Sequence, residues 1–204
     1  MNTLEIKTKN KIKSWDDFYK EARKQFLAYE KLEGIDNWKE YDFSIDCSED
    51  QMKFKDMLQI RFIEELTEAS ESINEEEHFW EEITDSLNFF ISAFIMADID
   101  FKKLPHPENY LPKKDKRKIP SIKKYSIMTY QLIHNVGTLC NLLKNRPWAQ
   151  SNYLVSMFDF NVRIKILWMS FWNYLGKLGI NKNTLFDLFE RKVEVNKYRI
   201  KTGY

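Results

Sequence analysis

Residues 79–101 read FWEEITDSLNFFISAFIMADIDF, and this stretch decides the fold. Apolar side chains recur in it at intervals of three and four residues, which is the period of an α-helix. Trp80 and Ile83 lie on one face of that helix, and Phe89 and Met96 lie on the opposite face. A helix that is apolar on all sides is normally buried on all sides. The sequence therefore predicts a central helix with other helices packed around it.

The helical period continues on both sides of this stretch, and no run of alternating polar and apolar residues predicts a strand. The predicted fold class is all-α, a bundle of about six helices that forms one domain over residues 1–204. Ser14, Ser121 and Ser151 are suited to begin helices, because a serine side chain can cap the first turn. The predicted helices cover about residues 14–33, 48–73, 79–101, 121–144, 151–178 and 183–199.

Charge is unevenly distributed, although the net charge is only +1. A basic run interrupted by four prolines covers about residues 102–120, which predicts a solvated loop. Because the net charge is close to zero, the chain as a whole offers no electrostatic reason to bind nucleic acid or an anionic membrane. A non-enzymatic helical module that binds nucleic acid through the basic loop stays open as an alternative function.

The sequence also indicates the compartment. Cys47 and Cys140 are far apart and match no spaced metal motif or disulfide framework, which favours a reduced setting. No uncharged apolar stretch reaches the roughly 18 residues that a membrane span requires. The first residues are too polar for a signal peptide. We therefore expect a soluble cytoplasmic protein without a membrane partner.

Two acidic pairs lie on consecutive predicted helices, Glu65-Leu-Thr-Glu68 and Glu82-Ile-Thr-Asp85. The two carboxylates of each pair are three residues apart and share one helical face. Like charges at this spacing cost a helix about 0.2–0.5 kcal/mol unless a cation neutralises them. Facing helices of a bundle commonly build metal sites from such groups. We therefore expect the four carboxylates to meet at one mouth of the bundle and bind metal.

An all-carboxylate site suits a hard cation, Mg²⁺ or Mn²⁺, which keeps waters that a phosphate chain can replace. A carboxylate-bridged di-iron site would need a Glu-x-x-His motif on each of two helices, and only Glu75-x-x-His78 fits that motif. The scattered glycines form no phosphate-binding loop. Phosphates would instead be held by metal and by Lys192, Asn196 and Arg199, whose four- and three-residue spacing places them on one helix face.

With these motifs the chain resembles the dimeric all-α dUTPases, which are MazG-like nucleoside triphosphate pyrophosphatases. The two acidic pairs are similar to the metal-binding motifs of that superfamily. The run LKNRPW at residues 143–148 resembles a segment between later helices of the dUTPase branch. The tail, with its Lys, Asn and Arg followed by Gly203-Tyr204, resembles the ending of that branch. Val193 and Ile200 depart from the Asn and Gln that the family has at these positions.

The resemblance implies a bundle of the MazG-like type and hydrolysis of dUTP, and also of dUDP, to dUMP, with pyrophosphate released from dUTP. It implies that Mg²⁺ is held by catalytic carboxylates, namely Glu65, Glu68, Glu82 and Asp85. It implies a phosphate-binding C-terminal segment, residues 192–204, with Lys192, Asn196, Arg199 and Tyr204 as ligands. It implies contacts to the base or sugar from Asn88, Trp148 and Gln25. The same chemistry on another nucleoside triphosphate is the alternative.

The resemblance also implies a homodimer. The predicted fifth helix carries more aromatic surface than one face can bury, with Phe158, Trp168, Phe171 and Trp172. Such an excess is compatible with a protein interface, because aromatic residues are enriched in interfaces.

Overall fold

The computed structural model describes residues 11–32, 34, 48–143 and 155–202. Within these ranges the chain forms seven α-helices and no strand, which confirms the all-α class. The helices are α1 (Trp15–Leu32), α2 (Ser48–Lys55), α3 (Phe62–Glu71), α4 (Glu76–Met96), α5 (Ile122–Cys140), α6 (Met157–Lys177) and α7 (Lys182–Thr202). None of these helices combines the length and the apolar composition that a bilayer crossing requires.

A π-helical turn, Asp56–Arg61, joins α2 directly to α3. The three segments form one continuous helical element, which we call the α2–α3 rod. The described part of the chain therefore contains six rods, in agreement with the prediction of about six helices. The π turn itself has no counterpart in the sequence prediction.

Several helix ends differ from the prediction. Helix α4 ends at Met96, because Asp98 adopts a left-handed φ of 48°, and residues 101–103 form a separate 3₁₀ turn. Helix α6 begins at Met157, where the Ser156 hydroxyl accepts the backbone N–H of Asp159 at 3.3 Å. The predicted cap Ser151 lies outside the described residues. The first helix begins as predicted, since the Ser14 hydroxyl accepts the backbone N–H of Asp17 at 3.1 Å.

Helix α4 is the centre of the bundle. It packs against α1, α3, α7 and the π turn, and its buried residues lie on all sides. Phe90 of α4 stacks on Phe171 of α6 with 4.1 Å between ring centroids, and Phe62 of α3 meets the same ring at 5.5 Å. Helix α5 packs on α6 at the far side. The predicted central helix is therefore confirmed.

The aromatic excess predicted for α6 is mostly absent. Trp168, Phe171 and Trp172 are fully buried inside the chain, so the prediction that one face could not bury them is wrong. The Trp168 indole N–H donates to the Pro105 carbonyl at 2.8 Å, whereas Phe171 stacks on Phe90 of α4 and Trp172 meets Trp15 of α1 with 5.3 Å between ring centroids. Phe158 alone of the four aromatics stays exposed, at 78%.

The basic loop between α4 and α5 is anchored to the turn between α6 and α7. The backbone N–H of Lys116 donates to the Gly179 carbonyl at 2.9 Å, and that of Lys118 donates to the Leu178 carbonyl at 3.2 Å. Gly179 has a φ of 84°, and a Cβ on it would lie 2.2 Å from the Lys116 carbonyl oxygen. Only glycine fits this position. The loop lysines are exposed, as predicted, but the backbone beneath them follows a fixed path.

Candidate functional site

Carboxylates from two helices meet where α3 packs on α4. One oxygen each of Glu65, Glu82 and Asp85 lies within 4.8 Å of the other two, and we call these three residues the acidic cluster. Glu82 and Asp85 share a face of α4 because they are three residues apart. Glu65 reaches them because residues 72–75 form a short connection that folds α3 back along α4. The structure thus brings together three of the four carboxylates that were predicted to bind metal.

Glu68 is the fourth predicted ligand, and it is placed differently. It lies on the exposed side of α3, about one turn beyond Glu65, and outside the acidic cluster. Burial and the negative charge of Glu82 nevertheless raise the pKa of Glu68. Its role as a metal ligand stays a prediction.

Burial, and the charges of their neighbours, disfavour the charged form of two carboxylates in the acidic cluster. Burial, a hydrogen bond with Glu82 and the charge of Asp85 raise the pKa of Glu65 to about 9. Burial raises the pKa of Asp85 to about 6, although the ammonium of Lys192 acts in the opposite direction. Carboxylates with raised pKa values are destabilised in their charged form, and a bound cation would remove that penalty.

The donors of the acidic cluster suit a hard divalent ion. All are carboxylate oxygens, which Mg²⁺ and Mn²⁺ prefer. An octahedral Mg²⁺ with bonds of about 2.0–2.1 Å holds neighbouring ligand oxygens about 3 Å apart. Small side-chain rotations would bring oxygens that lie within 4.8 Å to that separation. The residues therefore fit the predicted ion.

Neighbouring side chains orient the acidic cluster. The His78 imidazole Nδ1 lies 3.0 Å from Glu82 Oε1, one turn earlier on α4. Such an outer contact commonly fixes the direction of a metal-binding carboxylate. Sequence reasoning treated His78 only as part of a rejected di-iron motif. The i,i+4 spacing of His78 and Glu82 was the signal that could have identified the contact.

Lys192, a predicted phosphate ligand, lies beside the acidic cluster. Its Nζ is 2.5 Å from Asp85 Oδ2 and 3.5 Å from Glu81 Oε1, and the residue is 3% exposed. Asn196 is also buried on α7, whereas Arg199 is exposed. The predicted face of α7 therefore begins with Lys192 beside the carboxylates and ends with Arg199 in solvent.

Glu65 and Asp85 of the acidic cluster, with the three α7 residues, line a cavity of about 640 Å³ between α1, the α2–α3 rod, α4 and α7. The volume is in the range of small-molecule sites, about 300–1,000 Å³. Seven of the predicted site residues line the cavity, namely Gln25, Glu65, Asp85, Asn88, Lys192, Asn196 and Arg199. Residues that were predicted separately, from motifs far apart in the sequence, thus share one space.

The α4 wall of the cavity changes from charged to apolar along the helix. Asp85 stands at one end, Asn88 and Phe89 follow, and Met96 stands at the other end. The 11 residue steps from Asp85 to Met96 span about 16 Å at 1.5 Å per residue. Phe26 of α1 adds an aromatic wall. A ligand with an anionic end and a flat, largely apolar end matches this polarity.

Among the residues that the structure describes, two side-chain amides on the cavity wall each have one buried atom without a hydrogen-bond partner. They are Gln25, through its Oε1 oxygen, and Asn88, through its Nδ2 nitrogen. Buried polar atoms are almost always paired, because an unpaired one costs about 1–3 kcal/mol. One acceptor and one donor therefore remain for a ligand. Both residues were predicted to contact the base or sugar.

Sequence reasoning missed other lining residues, notably Tyr29, Asp56, Met57 and Arg61. The apolar stripe of an amphipathic helix looks the same whether it faces a core or a cavity, so α1 carried no specific signal apart from Gln25. The predicted site residues Trp148 and Tyr204, and most of the run at residues 143–148, lie outside the described residues.

Comparison of the chain with protein-family models, with curated proteins and with solved structures finds no match in any of the three. The family resemblance rests on the motifs quoted above, and the function is proposed from the arrangement of the site.

Proposed function

We propose that this protein hydrolyses dUTP, and also dUDP, to dUMP in a reaction that requires Mg²⁺ and releases pyrophosphate from dUTP. One observation carries the proposal. Glu65, Glu82 and Asp85 converge within 4.8 Å, Glu65 and Asp85 line one end of a nucleotide-sized cavity, and the Lys192 ammonium lies 2.5 Å from Asp85. A divalent-ion site beside fixed cationic groups is the arrangement that phosphoryl transfer needs.

The phosphate end of the site would work through charge and positioning. A Mg²⁺ or Mn²⁺ ion held by the acidic cluster would polarise the phosphate oxygens and acidify a water. Lys192 and Arg199 would stabilise the negative charge of the phosphate oxygens, and Asn196 between them would donate a hydrogen bond. One carboxylate of the site would accept the proton of the attacking water. Tyr204 remains a proposed phosphate ligand.

The base end would use the two unpartnered amides. Uracil presents an N3–H donor between two carbonyl acceptors. Gln25 Oε1 can accept from the donor, and Asn88 Nδ2 can donate to a carbonyl. Cytosine has an acceptor in place of the N–H, so its binding would leave Gln25 unpaired, which selects against it. Phe26 supplies an aromatic wall, and Trp148 remains a proposed second one.

A panel of nucleotides tests the proposal. The five deoxynucleoside triphosphates and dUDP are incubated with Mg²⁺, with Mn²⁺ and with a chelator, and the monophosphate and pyrophosphate products are measured. We expect divalent-dependent formation of dUMP, with a kcat/KM for dUTP at least about tenfold above that for dCTP. A preference for another base would support the alternative substrate. No hydrolysis of any nucleotide with either ion would reject the enzymatic proposal.

We further propose that the protein is a homodimer, as the resemblance implies. Helices α5 and α6 pack on each other and expose large apolar side chains, among them Ile127, Tyr130, Phe158 and Val162. Exposed apolar side chains of this size favour protein contacts when they are contiguous. Light scattering should give the mass of two chains, and Phe158→Asp should shift it toward one chain. A monomeric mass at high protein concentration would reject the dimer.

A further inference from the structure

The α2–α3 rod presents a row of side chains to the cavity at four-residue spacing, namely Lys53, Met57, Arg61 and Glu65. In an uninterrupted α-helix each step of four residues overshoots a full turn by about 40°, so such a row would drift around the helix. The π-helical turn Asp56–Arg61 bonds from i to i+5 and holds more residues per turn. Four-residue steps inside it therefore fall short of a full turn and cancel the drift. The π turn contains the step from Met57 to Arg61, so it keeps Lys53 and Met57 on the same face as Arg61 and Glu65.

The guanidinium of Arg61 is available for a ligand. Its nearest acidic atoms are Asp56 Oδ2, at 3.8 Å, and Glu64 Oε2, at 3.9 Å. Both distances are too long for hydrogen bonds. Within the part of the chain that the structure describes, the five guanidinium N–H donors of Arg61 therefore remain unused, in a side chain that is 55% exposed.

The position of Arg61 along the cavity indicates which part of a nucleotide it can reach. Helices α3 and α4 are antiparallel, and Glu65 lies at the level of Asp85 in the acidic cluster. A step of four residues back to Arg61 covers about 6 Å, and a step of four residues forward from Asp85 to Phe89 covers the same distance in the same direction. Arg61 therefore lies on the base side of the acidic cluster. The first phosphate on that side is the α-phosphate.

We propose that Arg61 binds the α-phosphate of the substrate, and hence the phosphate of the monophosphate product, through its forked guanidinium. This inference rests on the proposed function. A guanidinium matches two oxygens of one phosphate, which a lysine ammonium cannot do. Lys192 and Arg199 lie on α7, where the phosphates that leave as pyrophosphate would be held. Arg61 would then hold the monophosphate product, and Lys192 and Arg199 would hold the pyrophosphate.

Equilibrium binding of the two products tests whether Arg61 and Arg199 contact different products. The probes are dUMP and inorganic pyrophosphate, each titrated with Mg²⁺ into the wild type, Arg61→Ala, Arg61→Lys and Arg199→Ala. We expect Arg61→Ala to weaken dUMP binding by about 10- to 100-fold, with Arg61→Lys intermediate, because a forked charged contact is lost. Pyrophosphate binding by Arg61→Ala should stay within about twofold of the wild type, whereas Arg199→Ala should weaken it. Arg163→Ala, an exposed arginine of α6 outside the cavity, is the matched control.

The outcomes separate this inference from the proposed function. If the wild type hydrolyses dUTP but Arg61→Ala binds dUMP as tightly as the wild type, the inference is overturned and the function stands. If the wild type hydrolyses no nucleotide yet binds dUMP in a way that depends on Arg61, the function fails and the α-phosphate contact stands. If the wild type does not bind dUMP, or if Arg61→Ala weakens both probes equally, the inference is overturned.

Discussion

Lys192 of α7 places its Nζ 2.5 Å from Asp85 Oδ2 of α4, at a position where the lysine is 3% exposed. The ammonium neutralises a carboxylate that belongs to the acidic cluster. In the proposed complex a divalent ion would take over this neutralisation, and the ammonium would become available to a phosphate oxygen. Asp85 would thus be stabilised by Lys192 in the free protein and by the ion in the complex.

Replacement of Lys192 by methionine tests this relationship. Lys192→Met leaves Asp85 beside Glu81 without their shared cation, and breaking such a buried pair should lower the free energy of unfolding by about 2–3 kcal/mol. Mg²⁺ should restore part of that loss, because it neutralises Asp85 directly. Urea unfolding with and without Mg²⁺ measures both effects. Lys197→Met is the control, since its ion pairs with Glu21 and Glu194 are half exposed and contribute less than about 1 kcal/mol. Equal losses in both variants would contradict the prediction.

Metal binding should depend on pH through Glu65. Its pKa rises from 4.5 to about 9 on folding, so without an ion the folded chain keeps a proton that the unfolded chain releases. The associated stability is complete below about pH 4.5 and is lost as the pH rises toward 9. An ion must displace this proton, so Mg²⁺ affinity should increase from pH 6 to 8 with release of protons.

Calorimetric titration of Mg²⁺ in two buffers of different ionisation enthalpy measures that proton release. Glu65→Gln is the control, because the amide has no proton to release and only the smaller dependence from Asp85, whose burial raises its pKa to about 6, should remain. An affinity that is constant between pH 6 and 8 would contradict the role assigned to Glu65.

Replacement of Asn88 by leucine tests base recognition. Within the described residues the Asn88 Nδ2 atom has no hydrogen-bond partner, so Asn88→Leu breaks no hydrogen bond of that atom. The free energy of unfolding should stay constant or rise by up to about 1 kcal/mol. The kcat/KM for dUTP should fall at least about tenfold, because one base contact is lost. An unchanged kcat/KM for dUTP would show that Asn88 does not contact the base.

Gly179→Ala tests the anchoring of the basic loop. The positive φ and the 2.2 Å approach of the new Cβ to the Lys116 carbonyl oxygen should lower the free energy of unfolding by about 2–4 kcal/mol. Gly137→Ala on α5 is the control, because no atom lies within 4 Å of a Cβ built there and φ is not positive. It should stabilise the helix by up to about 1 kcal/mol. Thermal melting compares the two, and equal effects would contradict the anchoring.

The central helix and the acidic cluster were predictable because they depend on local spacing. Helical period identifies α4, and Glu65 meets Asp85 once two consecutive helices form a hairpin. The burial of Trp168 was not predictable, since it depends on Pro105 in a loop far away in the sequence. The π turn that ends at Arg61 was not predictable either, because no residue type marks it. The part of the cavity wall that α1 supplies could be identified only from the tertiary fold, because the apolar stripe of α1 has the same pattern as a stripe that faces a core.

The acidic cluster is the basis of the proposed function, and Glu65→Gln tests it most directly. Glutamine resembles the protonated carboxyl that Glu65, with a pKa of about 9, carries at neutral pH, so the variant should melt at the wild-type temperature. Glu71→Gln, on the exposed part of α3, is the matched control and should keep full activity.

The deciding measurement is the release of pyrophosphate from dUTP by the wild type, Glu65→Gln and Glu71→Gln as Mg²⁺ is increased from zero. We predict release by the wild type and by Glu71→Gln that requires Mg²⁺, and a rate at least about 100-fold lower for the folded Glu65→Gln protein, because the ion loses a ligand. Full Mg²⁺-dependent activity in Glu65→Gln would contradict the proposal that these carboxylates hold the ion.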